Sequence, residues 1–160
     1  MAEAINLSTA GIHLYYAVEE TAGTRPTLKS AYKDLPGVKS TPSLNPSPEA
    51  LETTSLNETE YKTYIDGLKD LGGALEFTWN LTQALVTTWE ALMTAYEEAK
   101  TAGKATWFLI DIPGLTEGLY FKGNPSDMGI PETAVNSVLE ITNYITPTSA
   151  PIKAAKPVAE

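Results

Sequence analysis

The chain has no cysteine, so disulfides and thiolate metal sites are unavailable to it, although this alone does not fix the redox compartment. There is one histidine, His13. No two-histidine metal site and no His-based triad can be built beyond that single imidazole, which reads as a structural or exposed residue on a strand. No apolar run approaches the roughly 20 residues that span a bilayer, so no membrane partner is expected. The start, Met1-Ala2-Glu3-Ala4-Ile5, lacks the basic end and apolar block of a secretory signal. Positive charge is also scarce: 11 Lys and Arg stand against 20 Asp and Glu, a net charge of −9. Such a chain is repelled by phosphate. Tight nucleic-acid binding is therefore not expected, whereas passage of nucleic acid without sticking is compatible with this balance.

What is present is organised around residues 74–113, which read as strand, helix, strand. In Leu75-Glu76-Phe77-Thr78-Trp79-Asn80-Leu81 the odd positions are apolar and the even ones polar, the period of a half-buried strand. From Thr82 the spacing changes. Leu85, Trp89, Leu92, Met93 and Tyr96 fall on one face of a 3.6-residue helix, with Asn80 or Thr82 able to cap its start. Gly103 stops it, with Lys100 and Lys104 beside the negative end. Thr106-Trp107-Phe108-Leu109-Ile110-Asp111-Ile112 follows as a strand too apolar to leave one face in water.

Elsewhere, residues 1–10 form a small-residue arm and 12–18 a strand. Residues 19–33 read as loop, 38–41 as a short strand and 50–56 as extended chain. Pro42, Pro46 and Pro48 break regular structure between them, blunting a sheet edge more readily than offering a polyproline ligand. Residues 57–73 have no clean period, yet carry Tyr61, Tyr64, Ile65, Leu68 and Leu71. A solvated connection does not need five large apolar side chains, so this stretch reads as a docking loop; a short helix folded back on the core is the plainer alternative. Leu119 to Lys122 is a strand, and Ala134 to Ile145 a long final one. Residues 148–160 are a Pro/Ala/Lys tail expected to be loose. The 160 residues suffice for a single domain with a real core. The fold class is mainly β: a two-sheet β-sandwich or curled sheet with one flanking α-helix.

The chemistry that enzymes need is not evident. Asp111 and Glu117 flank a Pro-Gly turn without a further catalytic partner and read as solvated carboxylates. Gly72-Gly73 lacks the Lys and Ser/Thr of a phosphate loop. The Asn-X-Thr patterns at Asn57 and Asn80 mean little without a secretory signal. Trp79, Trp89 and Trp107 are core by default. No catalytic residue, cofactor or metal site is assigned.

Pro36-Gly37-Val38-Lys39-Ser40-Thr41-Pro42 and Glu49-Ala50-Leu51-Glu52-Thr53-Thr54-Ser55-Leu56 open an order of elements that resembles the major tail tube proteins of long-tailed (siphovirus-type) bacteriophages. It continues through Tyr61-Lys62-Thr63-Tyr64-Ile65-Asp66-Gly67-Leu68-Lys69-Asp70-Leu71-Gly72, although members often place Pro where Asp66 stands. The strand from Ala74, the single helix, and Tyr120-Phe121-Lys122-Gly123 before a last long strand complete it. This resemblance implies a virion protein, assembled in the host cytoplasm into hexameric rings that stack as a hollow tube for DNA ejection. It also implies tail-tip, tail-terminator and tape-measure proteins as partners, and residues 57–73 as the inter-ring contact, carried by Tyr61, Tyr64, Ile65, Leu68 and Leu71. Glu52, Glu76 and Glu140 are candidate lumen-facing acids, since each lies on a strand whose other parity is apolar. The alternative is a small β-sandwich binding or decoration module of a virion or cell surface.

Overall fold

A computed structural model describes residues 10–45, 48–70 and 72–159. The chain divides into two compact units, residues 1–42 with 74–160, and residues 43–73.

The first unit is built as the hydrophobic pattern dictates. Strand β6 (Leu75–Asn80) buries Leu75, Phe77 and Trp79 and exposes Glu76 and Asn80. Helix α1 (Gln83–Thr101) starts at Thr82, whose side-chain oxygen accepts the Leu85 N–H at 3.2 Å, so Thr82 rather than Asn80 is the cap. Leu85, Trp89, Leu92 and Ala99 are its buried face, with Met93 and Tyr96 half-buried. Gly103 takes φ +74° and lets the Lys104 N–H reach back to the Ala99 carbonyl at 2.8 Å. That closes the helix with a residue other than glycine disfavoured at this position.

Strand β7 (Thr106–Asp111) is buried along nearly its whole length because both of its faces are covered. It pairs antiparallel with β1 (His13–Val18) on one side and β8 (Glu117–Pro125) on the other. Phe108 and Ile110 share a face with Tyr16 and Leu14. Trp107 and Leu109 point the other way, into a second cluster with Ala17, Tyr32 and Tyr120. The sheet runs β2-β1-β7-β8-β9-β6-β3, with β2 (Lys33–Leu35), β3 (Val38–Ser40) and β9 (Glu140–Pro147). It curls about β8, whose start pairs with β10 (Ile152–Ala155) and whose end pairs with β9. Gly123 marks the crossing: a Cβ there would lie 2.6 Å from the Ile145 methyl, closer than atoms pack. A file of aromatic rings crosses the curl, with Phe108–Phe121 at 5.3 Å, Phe77–Phe121 at 6.4 Å and Trp79–Trp89 at 5.9 Å. Mainly β with one helix is the observed class.

Three local expectations change. The 19–33 loop also contains a 3-10 turn, Lys29–Ala31, and runs into β2. The last long strand begins at Glu140, not Ala134; Asn136 adopts φ 58°, a left-handed conformation that interrupts a pleat, and Val135 and Val138 stay exposed. Within β9 the core parity includes buried Asn143 beside Ile141 and Ile145. The tail is ordered rather than loose. Strand β10 adds to the sheet, Tyr120 donates its hydroxyl to the Ala155 carbonyl at 2.7 Å, and Lys156 lies 2.8 Å from Asp111.

Candidate assembly surface

The second unit is a hairpin of β4 (Pro48–Glu52) and β5 (Tyr64–Lys69). Residues 57–73 are therefore not an irregular loop throughout: Tyr64–Lys69 form a strand whose β-compatible residues alternate too weakly to announce it. The connecting turn is held by polar side chains. Glu58 Oε1 accepts the N–H groups of Thr59 and Glu60 at 3.1 and 3.3 Å, and the Thr63 N–H donates to Thr54 Oγ1 at 2.9 Å. Gly67 lies where the strands crowd, since a Cβ there would stand 3.0 Å from the Glu49 carbonyl.

Pairing sets two faces. Leu51 lies opposite Ile65, while Glu52 lies opposite Tyr64 and Ala50 opposite Asp66. Alternation then puts Tyr64, Asp66 and Leu68 with Glu52 on one face, and Leu51 with Ile65 on the other. Among the described residues of 43–73, none is buried. Tyr61, Tyr64, Ile65 and Leu68 are all exposed, as are Leu51 and Leu56, which sequence reasoning did not single out. Leu71 lies outside the described residues. A lone two-stranded hairpin is marginal in water, and this one presents apolar side chains on both faces.

The three candidate acids separate. Glu76 and Glu140 lie on the outward parity of the β6–β9 pair, Glu76 opposite Tyr144 and Glu140 opposite Asn80; Glu140 is in an ion pair with Lys39. Glu52 belongs to the hairpin, 4.0 Å from Lys62, so the helix-covered face gives no direction for it. Beside Glu140, an open groove of about 610 Å³ lies between the outward face of β9 and the 129–138 segment, with Ile130, Val138 and Tyr144 among its apolar lining.

The groups that resemble chemistry are tied up locally. His13 Nδ1 lies 3.4 Å from Asp34 at the surface, and Asp111 faces Lys156 rather than Glu117. Among the described residues no group of three His, Asp or Glu is arranged to hold a metal. Burial pushes the Tyr32 phenol up to about 12, aided by Tyr120 and opposed by Arg25, whose guanidinium stacks 4.3 Å from the Tyr120 ring.

No protein-family model matches this sequence, and no curated protein does. The fold is nevertheless similar to solved structures. One is a chain of the anti-feeding prophage baseplate, solved with 6-fold symmetry (TM-score 0.55, 9% identity, 99% of both chains covered). A second is a chain from the tail of an empty GTA particle with C6 symmetry (TM-score 0.58, 10% identity, 94% of this chain and 100% of that one). A third comes from the anti-feeding prophage tube-terminating cap (TM-score 0.51, 11% identity, 98% and 91%). At these identities the likeness establishes a shared fold, along nearly the whole of each chain.

Proposed function

We propose that this chain is a non-enzymatic structural subunit of a phage-tail-like particle, closing into hexameric rings that stack as a tail tube through which DNA leaves the virion. The observation that carries the reading is the hairpin of residues 43–73, which displays Tyr61, Tyr64, Ile65 and Leu68 without burying any described side chain. Ordering such a segment costs entropy that burial within its own unit does not offset. A heterologous contact with the next copy supplies that burial, and repetition of one such contact builds rings or filaments. The outer strands β2 and β3 end the curled sheet, leaving edges that ring closure would cover. Likeness to chains from two particles solved with six-fold symmetry favours six copies per ring.

Within this assembly, Glu76 and Glu140 are the candidates for the lumen. Their shared outward face would present negative charge that does not hold DNA by its phosphates. Glu52, seated on the hairpin, is assigned to the contact between rings instead. Tail-tip, tail-terminator and tape-measure proteins are the partners this role requires, and the virion is its place.

Negative-stain electron microscopy of the purified protein, across a concentration series, tests the reading. Six-membered rings or stacked tubes are expected. A monomer at every concentration, together with virions whose tubes lack this chain, would overturn it.

A further inference from the structure

The hairpin needs a receiving surface, and charge selects one. Residues 43–73 carry six carboxylates (Glu49, Glu52, Glu58, Glu60, Asp66, Asp70) and two lysines (Lys62, Lys69), a net of −4. One hairpin face combines Glu52 and Asp66 with Tyr64 and Leu68. The large groove beside β9 is apolar enough to receive it, but its charged lining residues are Glu132 and Glu140. The nearby Lys39 is already paired with Glu140. Like charges brought together there oppose docking.

The opposite situation holds on the outer face of the β1–β7–β8 sheet. Residues 22–32 contain Arg25 and Lys29 and no carboxylate. They are joined to the tail by the Lys29 N–H to Val158 carbonyl bond at 2.9 Å and the Val158 N–H to Thr27 carbonyl bond at 3.0 Å. Lys122 reaches over the Trp107 ring on the same face. An open notch of about 250 Å³ is lined by Tyr15, Lys29, Tyr32, Asp111 and Lys156. Lys156 answers Asp111, while Lys29 is exposed and, among the described residues, in no ion pair. The other carboxylates bordering this side are Asp34, opposite Tyr15 and beside His13, with Glu20 and Glu117, against Arg25 and Lys122. Leu28, Ile152 and Val158 are exposed around it. In a chain of net charge −9, a face on which the exposed Lys29 has no carboxylate partner among the described residues and is ringed by exposed aliphatic groups is the complement of the hairpin's acidic, apolar face.

We infer that the Glu52/Tyr64/Asp66/Leu68 face of one copy seats on this face of a second copy, with an acidic side chain entering the notch beside the unpaired Lys29 and the apolar groups meeting Leu28 and Val158. The inference rests on the reading of the hairpin as the contact between copies, and names what receives it. Opposite charges also steer the encounter, so association falls as salt rises.

Charge exchange in the full-length chain tests it by sedimentation velocity and negative-stain microscopy. Lys29→Glu, at an exposed position, is expected to reduce association at least tenfold without changing the melting temperature, and Lys29→Glu with Lys122→Glu to reduce it further. Asp66→Lys added to Lys29→Glu is expected to restore it, which a general loss of solubility or folding cannot do. Undiminished association of the lysine variants, in a protein whose association Ile65→Ser/Leu68→Ser abolishes, would refute this receiving face while leaving the hairpin contact intact. Association indifferent to all of these changes would remove the hairpin contact as well. Retention of duplex DNA at low salt by the unaltered protein, lost in Lys29→Glu while assembly is unchanged, would assign the face to nucleic acid and overturn the inference.

Discussion

Replacing Ile65 and Leu68 by Ser separates folding from assembly. Leu68 is 89% and Ile65 56% exposed, so neither side chain contributes much to the isolated subunit. Exposed substitutions of this kind change stability by about 0.5 kcal/mol or less. In a contact that buries the hairpin, the same groups matter more. Full burial of an aliphatic side chain contributes about 1.5–3 kcal/mol. Nearly all of Leu68 and about half of Ile65 remain available, so the pair should contribute roughly 2–4 kcal/mol to each contact. At about 1.4 kcal/mol per tenfold, the association constant should fall by roughly 30- to 1000-fold. Circular dichroism melting would report the fold and sedimentation velocity the assembly. An unchanged melt with loss of rings and tubes is expected. A fall in melting temperature of roughly 8 °C or more, equivalent to at least ~2 kcal/mol in a chain of this size, would show that the hairpin belongs to a core; unaltered assembly would show that neither of its apolar faces is a contact.

Three further outcomes are expected. Deleting residues 151–160 removes β10, the Lys156–Asp111 pair and the acceptor of the Tyr120 hydroxyl, and opens the cluster around Leu109 and Tyr120. Chemical denaturation should show a loss of roughly 2–5 kcal/mol, and no loss would return the tail to a loose appendage. Because the folded-state pKa of Tyr32 is raised from 10.0 to about 12, its contribution is complete below pH 10 and is lost as pH rises through about 12, the unfolded state giving up its proton first. Tyr32→Phe should flatten stability measured across that window, and an unaltered alkaline slope would count against it. Glu76→Lys should leave tubes intact but slow DNA ejection at low ionic strength, whereas ejection at the original rate in low salt would place Glu76 outside the lumen.

The sequence disclosed the fold where one face of an element was uniform. Strict alternation placed Leu75, Phe77 and Trp79 inside, and the 3.6-residue spacing placed Leu85, Trp89 and Leu92 on the buried side of α1. The apolar run of β7 announced burial on both faces, but not what covered the second one. That cover is the 25–32 segment and the tail, whose Ala154 and Tyr32 pack on the cluster. Neither segment has a period of its own, because each is ordered by contacts distant in sequence. Parity failed at residues 134–139 for a different reason: a single left-handed residue, Asn136, ends the pleat without changing the hydrophobic pattern.

The candidate contact surface was legible in its residues and not in its form. Tyr61, Tyr64, Ile65 and Leu68 stood out as apolar groups without a period, and all four are exposed. The strand carrying three of them was hidden because Asp66 and Gly67 interrupt the apolar run and because neither face is buried, so no alternation is imposed. The same property bears on function. A strand with one buried face reports its core through its period, whereas a hairpin that meets its partner only on assembly is patterned by two surfaces at once. Charge therefore becomes the more discriminating signal. Residues 43–73 are acidic and residues 22–33 are basic, a division that hydrophobicity alone does not reveal and on which the inferred contact between copies rests. A contact specified in this way favours head-to-tail repetition over a symmetric dimer, because two acidic hairpins repel when placed face to face.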